Sequence, residues 1–401
     1  MGSQLSLHHR DPGYAKRAKT LIIRRGPIYS RKYKPPRSPL GYRWPIWKSI
    51  KAKFSQMRRH VVGHEPETFL DQLLDAVPGL TTLTTLDVSL PYNLEDPFFH
   101  STKLSVIKAG WSVFGASLTT LSFNMPLEEI HLISLSHIRL LRLENFSIVL
   151  QIFHPTSQPN ELIRKSVLPF LIAHGPTLRS LELVALKKVD MSSILNGLRH
   201  MPRLNSLNIS HHFRSLKLTS LIGHHQFLKV HQSQLQHLTF ETQSFCSDME
   251  ITDEFFNQEW CHVLLPELRS LSFSLSGFRV SCEAAAIPYF QRHISTVKSL
   301  TILALYFSYD QVASILTGPK QGGYQLTALR TLNIQIWCFS PALLSLLADQ
   351  APQLRSLKLY VCVIGPDKQP ESFASNRVPE VGRSFSVCPL CIVPQIIIVF
   401  A

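Results

Sequence analysis

The sequence lacks the features that direct a chain into or across a membrane. No stretch has the roughly 18 consecutive apolar residues that a spanning helix needs. The first residues also lack the uninterrupted apolar core of a secretory signal peptide. Met1-Gly2 with Ser6 fits the loose myristoylation pattern, which is short and common by chance. We therefore expect no membrane span.

Cysteine is scarce and irregularly placed. The 7 cysteines are an odd number without the spacing of a disulfide framework. Reduced thiols of this kind are typical of a cytoplasmic or nuclear protein. Cys388 and Cys391 form a CxxC pair, and residues 211–212 and 224–225 are paired histidines. A structural zinc ion needs further ligands at matching spacing, which are missing, so we predict no metal and no cofactor.

Motifs of catalysis are missing as well. The chain has no G-x-S-x-G elbow, no phosphate-binding P-loop, no G-x-G-x-x-G and no H-E-x-x-H. No other set of residues combines a nucleophile with a base in a recognisable pattern. The sequence therefore favours a protein that is not an enzyme and has no catalytic residues.

Charge is low and unevenly placed. Charged residues make up 17% of the chain and hydrophobic residues 45%, which argues against wholesale disorder. Residues 1–60 contain 16 Lys and Arg and one acidic residue, Asp11, whereas the other 341 residues have a net charge of −1. The basic character therefore belongs to the N-terminal segment.

That segment has two interpretations. Residues 24–66 are rich in Arg, Lys and Pro, with Tyr and Trp between them, and the prolines forbid long regular structure through residue 45. Basic and aromatic residues over 16–59 suit a nucleic-acid arm or a nuclear-import signal. No RNA-binding motif accompanies them, which favours a basic loop inserted between two repeats.

A leucine phrase, L-x-x-L-x-L, recurs along the chain. Residues 326–362 contain two copies of this leucine-rich-repeat signature, separated by an apolar segment with helical spacing. Copies begin at Ala18, Leu83, Leu118, Ile138, Leu178, Leu204, Leu235, Leu268, Leu300, Leu329 and Leu354. Weaker copies begin at Leu127 and Phe213. Each phrase predicts a short strand that buries its leucines only when it is stacked on its neighbours.

The spacers between the phrases carry helix signals. Residues 67–77 and 161–174 have one apolar side, Asp190 and Asp253 can cap the segments 191–200 and 254–264, and Ser308 with Gln311 makes a capping box. Ser340 followed by Pro341 predicts another helix start.

Strands alternating with helices predict an α/β leucine-rich-repeat solenoid, a horseshoe of about 10–12 irregular repeats. We divide the chain into a partial repeat (1–23), a basic insertion (24–66), the repeat domain (67–364) and an irregular tail (365–401). The apolar end of the tail, 392–401, is too short to span a membrane and is either a terminal strand or unstructured.

The residues between the leucines should line the concave side of the solenoid. They are mostly small and hydroxyl-bearing, and they become aromatic in the last three repeats, where Tyr306, Trp337 and Tyr360 are expected at similar positions. Exposed aromatic residues on a rigid surface are typical binding hot spots. The predicted partner-binding residues are Tyr306, Asn333, Gln335, Trp337, Lys358 and Tyr360. The alternative is that the aromatic residues cover the end of the sheet.

Three pieces carry a family resemblance: residues 11–17 leading into 21–23, residues 110–121, and residues 174–183 with the phrase H-G-P-T-L-R-S-L-E-L. They resemble the leucine-rich-repeat part of fungal F-box proteins, over about residues 1–23 and 67–364. The resemblance implies a repeat surface that selects the substrate of a cullin–RING ubiquitin ligase, while the F-box docks on the Skp adaptor. No F-box with its opening Leu-Pro and acidic residue is present, so a truncated substrate-recognition half is expected. The Skp adaptor is an expected partner only if an F-box lies upstream.

Three functions stay open at this point. The first is a protein-binding module derived from a ubiquitin-ligase substrate receptor. The second is a leucine-rich-repeat scaffold unrelated to ubiquitin. The third is a nucleic-acid-associated protein that uses residues 16–59.

Overall fold

One sheet of 12 strands organises the chain. The computed structural model describes residues 18–24, 74–75, 77–89, 97–133, 138–152, 158–186, 189–213, 221–244, 250–276, 279–280, 282–317, 326, 328–364 and 395–399. In chain order the strands are β1 (Thr20–Arg24), β2 (Thr85–Ser89), β3 (Thr120–Pro126), β4 (Asn145–Gln151), β5 (Ser180–Leu186), β6 (Ser206–Phe213), β7 (His237–Ser244), β8 (Glu250–Ile251), β9 (Ser270–Ser276), β10 (Arg279–Val280), β11 (Ser299–Phe307), β12 (Thr331–Phe339), β13 (Ser356–Ile364) and β14 (Gln395–Val399).

The strands of the main sheet follow one another in sequence order. β8 and β10 pair separately, and the other strands lie side by side from β1 to β14. All neighbours are parallel except β14, which pairs antiparallel with β13. The tail therefore contributes a terminal strand, one of the two alternatives left open by its sequence.

Short helices connect most of the strands. They are α1 (Pro97–Phe114), α2 (Leu127–Leu132), α3 (Pro159–Leu162), α4 (Leu168–His174), α5 (Ser192–Gly197), α6 (Ile222–His231), α7 (Glu283–His293), α8 (Tyr309–Thr317) and α9 (Pro341–Gln350). A π-helical turn, Ile163–Val167, joins α3 to α4. The 3-10 helices are Val77–Gly79, Asp253–Phe255 and Glu259–His262. Among the helices of the described residues, none combines the length and apolar character needed to cross a bilayer.

A continuous row of apolar side chains forms the core. Strand pairing aligns one central residue from each repeat, and every member of the row is buried. The row consists of Leu21, Leu86, Leu121, Phe146, Leu181, Leu207, Leu238, Leu271, Leu300, Leu332 and Leu357. One repeat cannot bury its own member of this row by itself, because the residue is covered by the repeats on either side. This arrangement is an α/β leucine-rich-repeat solenoid, as the sequence predicted.

Backbone hydrogen bonds connect the turns before the strands into a second continuous row. The carbonyl of Lys19 accepts from the amides of Thr84 and Thr85, and the same pattern recurs down the stack to Arg330, which accepts from Arg355 and Ser356. β1 pairs with β2 although residues 25–84 separate them. A strand is therefore present at the phrase that begins at Ala18, and it is the first strand of the stack.

Several predicted helix starts are present with their caps. The Ser308 amide donates to Oε1 of Gln311 over 2.8 Å, and the Gln311 amide donates back to Oγ of Ser308 over 3.3 Å. Ser340 accepts from the Leu343 amide with Pro341 at the first position of α9. Asp190 accepts from the Ser192 amide over 2.9 Å, but α5 spans Ser192–Gly197 and is shorter than the predicted 191–200.

Other local predictions are wrong. The segment after Asp253 forms two 3-10 helices in place of one α-helix over 254–264. The weak phrase at Leu127 is α2 and not a strand. Phe213 is the last residue of β6, and the rest of the weak phrase that begins there lies outside the described residues, as does most of the helix predicted over 67–77.

Two strand predictions have the wrong register. The phrase at Ile138 places a leucine at 141, where the structure has a turn and a 74% exposed side chain, and β4 begins at Asn145. The phrase at Leu300 treats Leu303 as the central residue, but Leu300 occupies that row beside Leu271 and Leu332. Both segments contain extra leucines, so the phrase fits them in two phases, and pairing with the neighbouring strands selects the other one.

Candidate functional site: the concave face

The exposed face of the sheet lies on the inside of the solenoid curve. Parallel strands stand about 4.8 Å apart, whereas packed helices need about 8–10 Å, so the strand side of a stack is the shorter arc. In the main sheet, the first residue of each strand from β1 to β13 faces this side, is half-buried or exposed, and is either a small polar residue or a histidine. These residues are Thr20, Thr85, Thr120, Asn145, Ser180, Ser206, His237, Ser270, Ser299, Thr331 and Ser356. Most of the concave face is thus flat and hydroxyl-rich.

The last three parallel strands differ because they carry large aromatic side chains. Trp337 on β12 is 48% exposed, which is unusual for tryptophan in a monomeric protein. Its ring lies 5.2 Å from the ring of Tyr306 on β11, measured between centroids and tilted by 39°. Tyr360 on β13 lies beneath the ammonium group of Lys358, 5.0 Å from its ring centroid. We call Tyr306, Trp337, Lys358 and Tyr360 the aromatic end.

Tyr306 and Tyr360 occupy equivalent positions, as the sequence predicted, whereas Trp337 does not. Strand pairing places Tyr306 opposite Gln335 and Gln335 opposite Tyr360. Trp337 lies two residues further along β12, on the same face. The Tyr306 side chain contacts Trp337 because it extends over the neighbouring strand, and it also hydrogen-bonds to Cys362. Cys362 is an exposed residue of this surface that the prediction missed.

A bulge in β11 brings Tyr306 opposite Gln335, into the row of Tyr360. Pairing between β11 and β12 passes from Ile302 opposite Ile334 directly to Tyr306 opposite Gln335. Within the bulge, Ala304 has a φ of 65°, the one positive value among the non-glycine residues that the structure describes. Ile302 lies between two leucines of the phrase at Leu300, where the leucine pattern predicts a concave-face residue, yet it is completely buried. Left-handed backbone at a residue with a Cβ atom is a strain of the kind found at functional sites.

Substituting this alanine tests the strain. Ala304→Gly should leave the free energy of unfolding unchanged or raise it by up to about 1 kcal/mol, since glycine adopts positive φ without a steric cost. Ala348→Gly, in the exposed part of α9, should instead lower it by about 1 kcal/mol. Urea unfolding of both variants measures the difference, and an equal loss of stability in the two would contradict the strained bulge.

Two amide side chains of the predicted site have unused acceptors. Oδ1 of Asn333 and Oε1 of Gln335 are buried, and no donor among the described residues reaches them. A buried carbonyl oxygen without a donor costs about 1–3 kcal/mol. A partner that donates hydrogen bonds at this point would therefore gain binding energy. Asn333, Gln335 and Lys358 all lie on β12 and β13 beside the aromatic residues, so the structure brings the predicted residues together.

Two of the four paired histidines, His211 and His224, are buried and contact each other. Nε2 of His211 lies 3.0 Å from Nε2 of His224, and Nδ1 of His224 donates to the Leu221 carbonyl over 3.0 Å. Burial lowers the pKa of His224 to about 4. In the described part of the chain, no three His, Cys, Asp or Glu side chains are grouped as a metal would require. Cys388 and Cys391 lie outside it.

Comparison with known proteins adds two structures with distant similarity. The crystal structure of the Rad7 and Elc1 complex in yeast matches 74% of this chain and 76% of that chain, at 15% identity and a TM-score of 0.43. The leucine-rich repeat-containing protein LegL7 from Legionella pneumophila matches over 81% of this chain and 96% of that chain, at 14% identity and a TM-score of 0.38. No family model and no curated protein matches the chain. The leucine-rich-repeat class therefore follows from the strand order, register and core described above.

Proposed function

We propose that this chain is a non-enzymatic protein-binding module whose partner docks on the aromatic end of the concave face. The observation that carries this proposal is the exposure of Trp337. Its ring lies beside that of Tyr306, on the last three parallel strands, where the concave face of the described residues carries large aromatic side chains. Tryptophan and tyrosine dominate the energy of protein interfaces because they bury a large area at a low cost in conformational entropy. The unused acceptors of Asn333 and Gln335 would supply specificity.

We further propose that the partner is a ubiquitination substrate, since residues 11–23, 110–121 and 174–183 resemble the repeat part of fungal F-box proteins. In that case the chain acts as the substrate-recognition part of a ligase receptor in the cytoplasm or the nucleus. A repeat scaffold unrelated to ubiquitin would use the same face for another partner. The two functions differ in one observable, which is association with the Skp adaptor.

Replacing the exposed tryptophan should abolish partner binding. We expect Trp337→Ala to weaken it by at least about 2 kcal/mol, roughly 30-fold, as for a central hot-spot residue. Leu141→Ala is the matched control, because Leu141 is 74% exposed in a turn before β4 and far along the sheet from β12. Tagged full-length chains are purified from cells, and the proteins retained by wild type, Trp337→Ala and Leu141→Ala are compared by quantitative mass spectrometry.

The same experiment separates the alternatives. Recovery of the Skp adaptor supports the ligase role, and its absence from every preparation argues for the independent scaffold. Proteins retained equally by wild type and Trp337→Ala would contradict binding at the aromatic end. RNA or DNA that binds in a salt-dependent way and is lost on deleting 24–60 would favour the nucleic-acid function.

A further inference from the structure

The concave strands carry few charged residues, and the sign of the charge changes from one end of the strand order to the other. The parallel strands from β3 to β13 in the main sheet contain three Asp, Glu, Lys or Arg residues, namely Glu182, Glu241 and Lys358. The two carboxylates lie on β5 and β7, near the middle of the sheet, and the ammonium group lies on β13, beyond the aromatic rings. The surface therefore runs from negative through aromatic to positive.

The pairing of the strands fixes the positions of these three charged residues along the sheet. Glu182 and Lys358 belong to one row of directly paired residues, which runs through Asn208, Thr239, Ser272, Thr301 and Asn333. Glu241 lies two residues after Thr239 on β7, opposite Ser274, and therefore faces the same side of the sheet. At about 4.8 Å per strand, Glu241 is about 19 Å from the β13 residues, and Glu182 is about 29 Å from Lys358.

Among the described residues, no Lys or Arg balances the two carboxylates. Nδ2 of Asn208 donates to Glu182 over 2.8 Å, but no Lys or Arg of the described residues pairs with Glu182 or Glu241. Partial burial raises the pKa of the Glu241 carboxyl, and the negative charge of Glu182 raises it further. Oδ1 of Asn208, in the row of Glu182, is a further buried acceptor without a donor. Each of these groups would be stabilised by a positively charged hydrogen-bond donor.

We propose that the concave face binds an extended segment of a partner protein that carries a basic residue, an apolar or aromatic residue and an acidic residue in that order. The basic side chain would lie at Glu182 and Glu241, the apolar one on Tyr306 and Trp337, and the acidic one at Lys358. An extended chain advances about 3.3–3.6 Å per residue, so the segment needs about six to nine residues to reach from the carboxylates to Lys358. This inference rests on the proposed function and specifies its partner.

The charge order favours a peptide over nucleic acid. Phosphates would be repelled by both carboxylates at the middle of the face, and the strands of the main sheet from β3 to β12 contain no Lys or Arg to bind them. Electrostatic complementarity also fixes the direction in which a segment lies, because the reversed segment would place like charges together at both ends.

The test is selection of random dodecapeptides on the purified full-length chain. Selected peptides should contain a Lys or Arg separated by a few residues from an aromatic or aliphatic residue. Binding of a selected peptide, measured by fluorescence anisotropy, should weaken about tenfold in the Glu182→Gln, Glu241→Gln double variant, since one exposed ion pair is worth up to about fivefold. Glu267→Gln, which removes an exposed carboxylate in the turn before β9, should bind as wild type does.

Charge reversal sharpens the test. The Glu182→Lys, Glu241→Lys variant should select peptides with an acidic residue in place of the basic one. Four outcomes would each overturn the inference. The selection yields no peptide, or it yields peptides without basic residues. The double glutamine variant binds within twofold of wild type, or an oligonucleotide displaces the peptide. If Trp337→Ala abolishes protein capture while the glutamine variant does not, the proposed function stands without this inference. If Trp337→Ala also leaves capture intact, both fail.

Discussion

Acidification from pH 7.5 to 4.5 is expected to lower the free energy of unfolding by several kcal/mol. The cause is a set of buried histidines, His174, His224, His231 and His293, whose pKa values burial lowers, to about 4 for His224 and His293. In the unfolded chain a histidine takes up a proton near pH 6.5, while in the fold it stays neutral. Stability is therefore complete above about pH 6.5 and is lost as the pH falls toward 4.

Geometry explains why these histidines stay neutral. Nδ1 of His174 donates to the Phe170 carbonyl, and its Nε2 accepts from the Leu140 amide of the preceding repeat, both over 2.8 Å. His231 repeats the arrangement with the Phe227 carbonyl and the Met201 amide. Protonation of Nε2 would remove the acceptor on which the amide of the neighbouring repeat depends. His224 and His293 each contribute about 3 kcal/mol of acid destabilisation, since one pKa unit corresponds to about 1.4 kcal/mol.

Two histidine variants test the acid prediction by urea unfolding at both pH values. Nε2 of His293 has no partner in the described structure, so His293→Leu should keep the stability at pH 7.5 and reduce the acid loss by about 3 kcal/mol. His174→Leu should instead cost about 1–3 kcal/mol at pH 7.5, because the Leu140 amide loses its acceptor. The raised pKa values of Glu241 and Glu283 oppose the histidines and offset part of the loss. A constant unfolding midpoint across this pH range would contradict the account.

The second large effect is expected from Phe273→Ala, which should lower the free energy of unfolding by about 3–5 kcal/mol. Phe273 on β9 is completely buried at the centre of a cluster of aromatic rings. Its ring centroid lies 5.4–6.3 Å from the centroids of Phe240, Phe255, Phe256, Tyr289 and Phe290. These rings come from neighbouring repeats, so the cavity left by the alanine would weaken the contact between them.

Cooperativity is the second observable for this variant. Because each repeat contacts only its neighbours, a weak interface at β9 should split the unfolding transition into two. Trp260, whose ring stacks 4.8 Å from Phe240, reports on the cluster by fluorescence. Phe273→Leu removes less volume and should lower the free energy of unfolding by less than Phe273→Ala does. Leu264→Ala is the control, because Leu264 is 59% exposed, and it should change the free energy of unfolding by less than about 0.5 kcal/mol. Equal stability of Phe273→Ala and Leu264→Ala would show that the ring cluster does not hold the repeats together.

The leucine spacing predicted the class of fold because burial of one row of residues is a local, periodic property. It could not select the register at Leu141 or Leu303, where neighbouring leucines satisfy the pattern in a second phase. The aromatic end was predicted as a set of residues, yet its geometry depends on the bulge at Ala304, which has no sequence signal. The bonds from His174 and His231 to a preceding repeat join residues 34 and 30 positions apart and follow from stacking alone. The roles of Asn333, Gln335 and Lys358 in binding stay predictions.

The most direct measurement for the central claim is hydroxyl-radical footprinting of the full-length chain with and without its captured partner. Oxidation of Trp337 and Tyr360 should fall several-fold in the complex, since exposed aromatic side chains would become buried at the interface. Oxidation of Leu141 and Leu132, exposed outside the strands, should not change. Unchanged oxidation of Trp337 in a saturated complex, with protection elsewhere, would contradict binding at the aromatic end of the concave face.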